Sequence, residues 1–223
     1  MRRAPEKLRF AAMAVDAVVF SFVDGELAVL TAGVNNESAY HGMDAFPGGL
    51  IKETENTDQA LVRVLKDKVG LTPAFSEQLY TFSAVNRDKR NRVVSVAYLC
   101  LVRPDTAASF TRAGAQFVLV SKLPKLAYDH DEMLLVAHKR LQGKLTYSTI
   151  AQFLLPHHFT LTELQTVYET VLGTEFDKRN FRKKILALDI VRDTGRLQEG
   201  VKNRPAALYK FVDQKLTELP LQV

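Results

Sequence analysis

Tryptophan is absent from the 223-residue sequence, cysteine occurs once, and no apolar run is long enough to cross a membrane. One cysteine excludes an intramolecular disulfide and fits a reducing cytosol. Cys100 lies within the apolar run VVSVAYLCLV, where we expect a buried structural thiol. That run has the length of a strand, well short of the ~18 residues that a membrane helix needs. Because the basic N-terminus also lacks the apolar region of a secretory signal, we expect a cytoplasmic protein without a membrane partner.

Positive charge is in modest excess and is unevenly distributed. The net charge is +5 and 47% of the residues are hydrophobic, which is ordinary for a soluble protein with a core. The basic residues cluster at the N-terminus, which includes Arg2 and Arg3, and in the stretch DKRNFRKK at residues 177–184. Two local clusters indicate a polyanionic partner. Arg2 and Arg3 fit either a flexible arm near that partner or a disordered terminus.

The first part of the chain has the pattern of a mixed sheet with helices against it. MAVDAVVFSFV and ELAVLTA flank Asp24-Gly25, a strong signal for a two-residue hairpin. A helix is predicted from an N-cap at Thr57 to Gly70. Three more strands are predicted in SEQLYTFSAV, RVVSVAYLCLV and AQFVLVS, and an amphipathic helix in DHDEMLLVAHKRLQGKL. Asp129-His130 at the start of that last helix fits N-capping at least as well as chemistry.

The last part of the chain changes to a helical pattern. STIAQFLL is followed by TLTELQTVYETVLG, which opens with the capping-box pair Thr160 and Glu163, and by DKRNFRKKILAL, which opens at the natural N-cap Asp177. Two strands with a glycine-containing turn complete the order of a winged helix-turn-helix. We therefore predict an α+β protein, with a sensing domain over residues 1–143 and a DNA-binding domain over residues 144–223. His157-His158 lies in a loop, where too few neighbouring ligands are evident for a metal site.

The third helix of the second domain is a candidate DNA-binding element. At about 100° per residue, Phe181, Ile185 and Leu188 share a face that can pack, and a basic arc lies beside it. A solvated surface helix is the alternative, but the position of the helix before a wing favours DNA. Together with Asn180 near the helix start and a basic residue in the wing, the predicted DNA-binding residues are Lys178, Arg179, Asn180, Arg182, Lys183 and Arg204.

The stretch FPGGLIKETENTDQALVRVLKDKVGL, from Phe46 to Leu71, resembles a Nudix box, whose pattern is G-x5-E-x7-R-E-U-x-E-E-x-G-U with U a bulky aliphatic residue. The positions that match are Gly49, Glu55, Arg63, Leu65, Gly70 and Leu71. The three helix glutamates are replaced by Val64, Asp67 and Lys68. Carboxylates at these positions would share one helix face and bind Mg²⁺. Because valine has no ligand atom and an ammonium repels a dication, we predict that hydrolysis, catalytic residues, cofactor and metal site are all absent.

The two halves together resemble the Nudix-related transcriptional regulators, the bacterial repressors of NAD metabolism and their relatives in sugar catabolism. The resemblance covers nearly the whole chain and is most specific from LAYDHDEMLLVAHKRLQGKL through DKRNFRKKIL to NRPAALYKF. It implies a homodimer, a double-stranded, palindromic operator, and a small-molecule effector bound by the Nudix domain. For the NAD branch the implied effector is ADP-ribose.

The same resemblance implies where an effector would bind. NRDKRNRVVSVAY is similar to the family's Asp-Pro-Arg-Gly-Arg loop and the strand after it. Arg90 or Arg92 can grip a diphosphate, Lys68 can meet a phosphate directly, and Phe46 stands where relatives carry a tryptophan before the PGG turn. The predicted ligand-binding residues are therefore Arg90, Arg92, Lys68 and Phe46. A solvated hairpin loop is the alternative for the two arginines.

Three other functions stay open at this stage. One is a Mg²⁺-dependent hydrolase of ADP-ribose-like nucleoside diphosphate derivatives, in which Glu53, Glu55 and Asp67 hold the metal. Another is a regulator of sugar catabolism with a different effector. The third is a ligand-independent DNA-binding scaffold whose first domain only dimerises.

Overall fold

The computed structural model describes residues 10–34, 39–200 and 204–219; Arg2 and Arg3 lie outside them. The strands in this part of the chain are β1 (Ala12–Val23), β2 (Glu26–Gly33), β3 (Asp44–Ala45), β4 (Gly48–Leu50), β5 (Phe75–Phe82), β6 (Val93–Leu101), β7 (Ala115–Leu119), β8 (Val191–Leu197) and β9 (Ala207–Phe211). The α-helices are α1 (Thr57–Val64), α2 (Pro104–Ala108), α3 (His130–Tyr147), α4 (Leu161–Leu172) and α5 (Lys178–Ala187). A π-helical segment covers Leu65–Val69, and short 3₁₀ segments cover Val120–Lys122 and Ile150–Leu154.

Strand β1 is the centre of the mixed sheet. It pairs antiparallel with β2 and β4 and parallel with β6, while β6 continues to β5 and β2 continues to β3 and β7. The predicted hairpin between β1 and β2 is confirmed: Asp24 has φ 51° and Gly25 φ 83°, the left-handed pair that a two-residue turn requires.

Both faces of β1 are covered, so its apolar run is buried from Ala14 to Ser21. Alternate residues of a strand point to opposite faces. Val15 and Val19 belong to a hydrophobic cluster that includes α1, whereas Val18 belongs to a larger cluster that includes α3. This is the predicted arrangement of a mixed sheet between helices.

Helix α3 joins the sheet to the C-terminal elements. Its buried residues Met133, Ala137, Leu141 and Leu145 recur every four positions and lie in the same cluster as the buried side chains of α4 and α5. The predicted division between residues 143 and 144 falls inside this helix, and the division stays a prediction. None of the helices in the described part of the chain has the length and hydropathy to cross a bilayer.

Hydrogen bonds add to the apolar contact between the sheet and the C-terminal elements. Arg103, just after β6, donates from Nη1 to the carbonyl oxygens of Gln152 at 2.7 Å and Leu155 at 3.0 Å. Gln142 of α3 donates to the carbonyl oxygen of Val171 in α4 at 2.9 Å. These contacts give the helical unit a fixed position on the sheet, because breaking them would leave partly buried carbonyls without partners.

The C-terminal elements form the predicted winged helix-turn-helix. In α4, Thr160 Oγ1 accepts from Glu163 N at 3.1 Å while Glu163 Oε2 accepts from Thr160 N at 2.6 Å, which confirms the capping box. Helix α5 is capped by Asp177, whose Oδ1 accepts from Asn180 N at 2.8 Å. Strands β8 and β9 pair antiparallel as the wing.

Two local expectations need correction. The N-cap of α1 is Asn56 rather than Thr57: Asn56 Oδ1 accepts from Gln59 N, and Gln59 Oε1 accepts from Asn56 N, each at 2.9 Å. This reciprocal pair satisfies two backbone donors, which the threonine one residue later does not do here. The predicted helix to Gly70 is α-helical only as far as Val64 and then π-helical.

Labelling of the cysteine tests the core directly. Cys100 is completely buried in the hydrophobic cluster that includes α1, and burial raises the pKa of its thiol, so native protein presents no reactive thiolate. We expect no reaction with a thiol-specific disulfide reagent in buffer and one equivalent in strong denaturant. Cys100→Ala is the blank for both conditions. Rapid stoichiometric labelling of native protein would contradict this placement.

Candidate functional site

A cleft of about 790 Å³ opens between the glycine turn at Gly48 and Gly49, where β4 begins, the π-helical segment, the loop before β7 and the start of α3. This volume is in the range of small-molecule sites. Four basic side chains, those of Lys68, Arg87, Arg90 and Arg112, and three acidic ones, those of Asp16, Asp67 and Asp88, are among its lining residues. The cleft is therefore lined by charge of both signs.

The glycine turn forms one wall with bare backbone. A Cβ atom on Gly48 would lie 1.7 Å from Asp16 Oδ1, so no other residue fits there without displacing the floor of the cleft. A Cβ on Gly49 would lie 3.2 Å from Val64 Cγ2. The backbone of the turn thus approaches both the floor and the α1 side of the cleft closely.

Glu55 and Arg63, the two charged residues that match the box, bind each other. Arg63 Nε donates to Glu55 Oε2 at 2.8 Å, Nη2 donates to Oε1, and Lys52 N donates to Oε1 at 2.8 Å. The hydrogen bonds from Arg63 lower the pKa of the Glu55 carboxyl to about 2, against a smaller opposing effect of burial. Arg63 Nη2 also donates to the carbonyl oxygen of Leu50 at 2.9 Å. Both Glu55 oxygens are engaged in fixing the loop between β4 and α1.

The three substituted box positions have different surroundings. Val64 is 1% exposed and packs in the hydrophobic cluster. Asp67 is exposed. Lys68 donates from Nζ to the carbonyl oxygen of Gly48; burial lowers the pKa of this ammonium, and nearby Asp16 opposes that shift. No group of three or more His, Cys, Asp or Glu side chains is placed to hold a metal ion within the residues that the structure describes.

The π-helical segment is stabilised from outside the helix. Its wider turn shows in the hydrogen bond that Gly70 N, at the end of the segment, donates to Leu65 O five residues earlier. The carbonyl groups at a helix C-terminus lack partners within the helix. Arg112 provides donors for two of these carbonyls: Nη2 donates to Asp67 O at 2.9 Å, and Nε donates to Lys68 O at 3.2 Å. Arg112 was not predicted as a site residue, because the loop that carries it is distant in sequence.

A buried ion cluster forms the floor of the cleft. Arg87 donates to Asp129 Oδ2 at 2.8 Å and Oδ1 at 2.7 Å, and to Asp16 Oδ2 at 3.3 Å. Ser95 Oγ donates to the same Asp16 oxygen at 2.6 Å. Asp129 occupies the N-cap position of α3, but its side chain makes no capping bond. Asp129 thus stands at the predicted N-cap position, but it does not cap the helix with its side chain, because its carboxylate accepts hydrogen bonds from Arg87.

Sequence reasoning missed Arg87 and Asp16, although Asp16 gave a signal. It is a carboxylate in the middle of the apolar run of β1. A charge in a strand that is buried on both faces needs a partner, and the arginine that supplies it is 71 residues away.

Phe46 and His130 connect the turn to the start of α3. Phe46 N donates to His130 Nδ1 at 2.9 Å, and the two rings are stacked with centroids 5.1 Å apart. Burial lowers the pKa of His130 against the opposing effect of Asp16, whose Oδ1 lies 3.7 Å from Nε2. Because Phe46 is 3% exposed, most of its ring surface is already covered by the protein.

The two predicted arginines of the following loop are placed differently. Arg90 lines the cleft, holds both carboxylate oxygens of Asp88 at 3.1 and 2.8 Å, and has its guanidinium 5.5 Å from the centre of the Tyr128 ring. Arg92 does not line the cleft and donates to the carbonyl oxygen of Ala84 at 3.2 Å. Lys68, Phe46 and Arg90 thus meet at one cleft; the assignment of Arg92 stays a prediction.

Helix α5 exposes most of the predicted DNA-binding residues. Lys178, Arg179, Asn180 and Lys183 are exposed, whereas Phe181 and Ile185 are buried. Arg182 is half-buried and donates from Nη2 to Thr162 Oγ1 of α4 at 3.1 Å, so one of its amino groups holds α5 against α4.

The wing is also basic. Arg204 is exposed in the segment before β9. Arg192 lies directly opposite Lys210 in the β8–β9 register, and both are exposed, as is Arg196. Like charges in direct register oppose pairing of the strands, so a bound anion would relieve their repulsion. Arg192, Arg196 and Lys210 were not among the predicted residues.

Comparison with known proteins agrees with this arrangement. The family model for the NrtR DNA-binding winged helix domain matches residues 151–211. The ADPR responsive transcriptional repressor NtrR of Acinetobacter baylyi is 31% identical over 210 residues, which cover 91% of this chain and 82% of the relative. The chain belongs to the NrtR family of Nudix-related transcriptional regulators. Both the predicted family and the predicted α+β fold, a Nudix-like domain followed by a winged helix, are confirmed.

Solved structures of another NrtR protein match both parts of the chain. The complex of Shewanella oneidensis NrtR with a 27mer DNA is 33% identical and superposes with a TM-score of 0.78, covering 89% of this chain and 93% of that one. The Nudix domain of the same NrtR complexed with ADP ribose is 29% identical and superposes with a TM-score of 0.53, covering 62% of this chain and 94% of that one.

The pH dependence of stability tests the role of Glu55. A carboxylate whose folded-state pKa is below its unfolded value of ~4.3 stabilises the fold at neutral pH, and this contribution is lost as the pH falls toward the folded value. Because the pKa of Glu55 is lowered to about 2, we expect Glu55→Gln to be less stable than wild type at pH 7. The difference in the free energy of unfolding between wild type and Glu55→Gln should become smaller as the pH falls from ~4.3 towards about 2.

Urea denaturation across this pH range measures the gap. Glu53→Gln, the same change at an exposed neighbour, is the matched control. Parallel pH profiles for wild type and Glu55→Gln would show that the pair with Arg63 does not stabilise the fold.

Proposed function

We propose that this protein is a transcriptional repressor that binds operator DNA through its winged helix and senses ADP-ribose, or a closely related nucleotide sugar, in its Nudix domain without hydrolysing it. The observation that carries the proposal is that the charged cleft and the basic winged helix are joined through one hydrophobic cluster that includes α3. Family membership and the ligands of the NrtR relatives support both halves.

The DNA-binding half rests on α5 and the wing. The arc of Lys178, Arg179 and Lys183 is exposed and free to meet phosphates, and Asn180 lies in the first turn of the helix, where side chains reach base edges. Arg204 would contact the backbone or minor groove from the wing.

DNA geometry supports a proposal for the oligomeric state. One recognition helix covers one half-site, and half-sites lie about 34–36 Å apart in a palindrome. The 27mer bound by the Shewanella protein is long enough for two. A homodimer with a two-fold axis on a palindromic operator is therefore part of the proposal.

The sensing half rests on the charges of the cleft. A diphosphate is bound best by charge-assisted hydrogen bonds from arginine and lysine, and Lys68, Arg90 and Arg112 line the same opening. The ion cluster on the floor fixes the position of the walls, so the site needs little rearrangement before binding.

Loss of hydrolysis rests on the box residues. The alternative, a hydrolase, requires Glu53, Glu55 and Asp67 to share a metal. Both oxygens of Glu55 are already occupied by Arg63 and Lys52, and the Lys68 ammonium lies on the Gly48 carbonyl of the adjacent wall. The geometry therefore favours binding over chemistry.

Helix α3 provides a path from cleft to DNA. It begins at the ion cluster, with Asp129 and His130, and donates from Gln142 to α4 near its other end. An effector that shifts Arg87 or Phe46 would therefore displace a rigid helix of about 27 Å that packs on the winged helix.

The DNA assignment is tested by removing two exposed charges of α5. Each neutralised phosphate adds ~0.9 to the slope of log affinity against log salt, so Arg179→Ala with Lys183→Ala should flatten that slope by about 2 and weaken binding. Fluorescence anisotropy measures this on a duplex recovered by selection with wild-type protein. Lys122→Ala with Lys125→Ala removes the same charge from exposed sites outside the winged helix. This control variant should keep both the wild-type salt slope and the wild-type affinity for the duplex. An unchanged slope in the α5 variant would remove α5 from the interface.

The sensing assignment is tested with ADP-ribose itself. We expect saturable heat on titration in Mg²⁺ buffer, no AMP in the same sample, and a change in affinity for the selected duplex when ADP-ribose is present. AMP release at an enzymatic rate would contradict the proposal and support the alternative function, a Mg²⁺-dependent hydrolase. Absence of heat would leave the DNA-binding half standing and exclude ADP-ribose as the effector.

A further inference from the structure

Lys68, which stands where the Nudix pattern has a glutamate, places its ammonium on the wall of the cleft. Lys68 Nζ donates to the carbonyl oxygen of Gly48, and its Cε and Nζ pass 4.0 Å from the place where a Cβ on Gly49 would lie. Gly48 itself lies against Asp16 Oδ1. The Lys68 side chain is exposed, and its ammonium lies on the surface of the cleft wall beside the glycine turn.

Apart from the exposed carboxylate of Asp67, the oxygen ligands that a metal would need at the box are missing or engaged. Mg²⁺ requires near-octahedral coordination by oxygen atoms. Val64 offers none, Glu55 is engaged by Arg63, and the Gly48 carbonyl accepts from Lys68. A dication placed near these atoms would also be repelled by the ammonium. The residues of the degenerate box do not fit a metal ion.

We propose that the Lys68 ammonium replaces the divalent cation, so that the cleft recognises the diphosphate of a nucleotide ligand without any metal. This inference rests on the proposed sensing function. An ammonium carries three N–H donors. One is used by the Gly48 carbonyl, and the ammonium donates no other hydrogen bond within the described residues, which leaves two for phosphate oxygens.

Arg112 gives the lysine its position and adds a second cation. It donates to the carbonyl oxygens of Asp67 and Lys68, at the end of the π-helical segment, and also lines the cleft. The wider π-turn places Lys68 differently from a regular α-helix. The segment therefore presents a fixed cation on the wall where an active box would present carboxylates.

Calorimetry with ADP-ribose in two buffers, one with Mg²⁺ and one with EDTA, tests the proposal. Wild-type protein should bind with the same affinity in both. Lys68→Met should bind about tenfold or more weakly in both, as expected for loss of a charge-assisted contact. Lys68→Arg should retain part of the affinity. Lys66→Met, the same change at an exposed lysine two residues away, should bind as wild type does.

The outcomes separate this inference from the sensing function. Binding by wild type only in Mg²⁺ would overturn the metal replacement and keep the sensor. An affinity of Lys68→Met for ADP-ribose equal to that of wild type would also overturn the metal replacement. The midpoint of thermal unfolding and the affinity for DNA show whether the variant is folded. No heat from wild type in either buffer would overturn both proposals. Adenosine, which lacks phosphate, is the control ligand whose binding should not depend on Lys68.

Discussion

The buried guanidinium of Arg87 is the interaction on which the arrangement of the cleft depends. It joins Asp16 in the central strand to Asp129 at the start of α3. Removing one partner of such a buried cluster leaves an uncompensated charge and typically costs ~3–5 kcal/mol, a large share of the stability of a domain. Gly48 and His130 both lie against Asp16, so the glycine turn and the first turn of the helix are positioned by the same carboxylate.

The proposed communication between an effector and DNA would have a physical basis in α3. The helix is anchored by ions at the cleft, by apolar packing along its length, and by a hydrogen bond to α4. Ions respond to the charge of a ligand, whereas packed side chains transmit displacement because interiors have low compressibility. The predicted division into a sensing part and a DNA-binding part would be a division of surfaces, since one hydrophobic cluster includes residues of both parts.

Local rules made much of this structure predictable. The Asp24-Gly25 turn, the pair of Thr160 and Glu163, and the Asp177 cap depend on residues within a few positions of one another, and the structure has all of them. The basic face of α5 follows from helical periodicity. The floor of the cleft was not predictable in the same way, because Arg87 finds its partners 42 and 71 residues away.

The same limit applies to the wall of the cleft. Arg112 donates to the carbonyl oxygens of Lys68 and Asp67, which lie 44 and 45 residues before it. A local sequence pattern cannot predict such a contact. The eroded box was visible in the sequence, but the contact of Lys68 with Gly48 required the fold. Residue types predicted the loss of a metal site, whereas the contact between Lys68 and Gly48 is visible only in the fold.

The packing of Val64 has an evolutionary consequence. This side chain is part of the closed cluster beneath the glycine turn, so a glutamate restored there would be a carboxylate among apolar neighbours, which is strongly unfavourable. Lysine and glutamate codons differ by a single base, so a glutamate at position 68 needs only one mutation. A glutamate at position 64 would also require its buried neighbours to repack. Introducing carboxylates at both positions would therefore take several coordinated substitutions, which a stepwise path of stable intermediates does not readily provide.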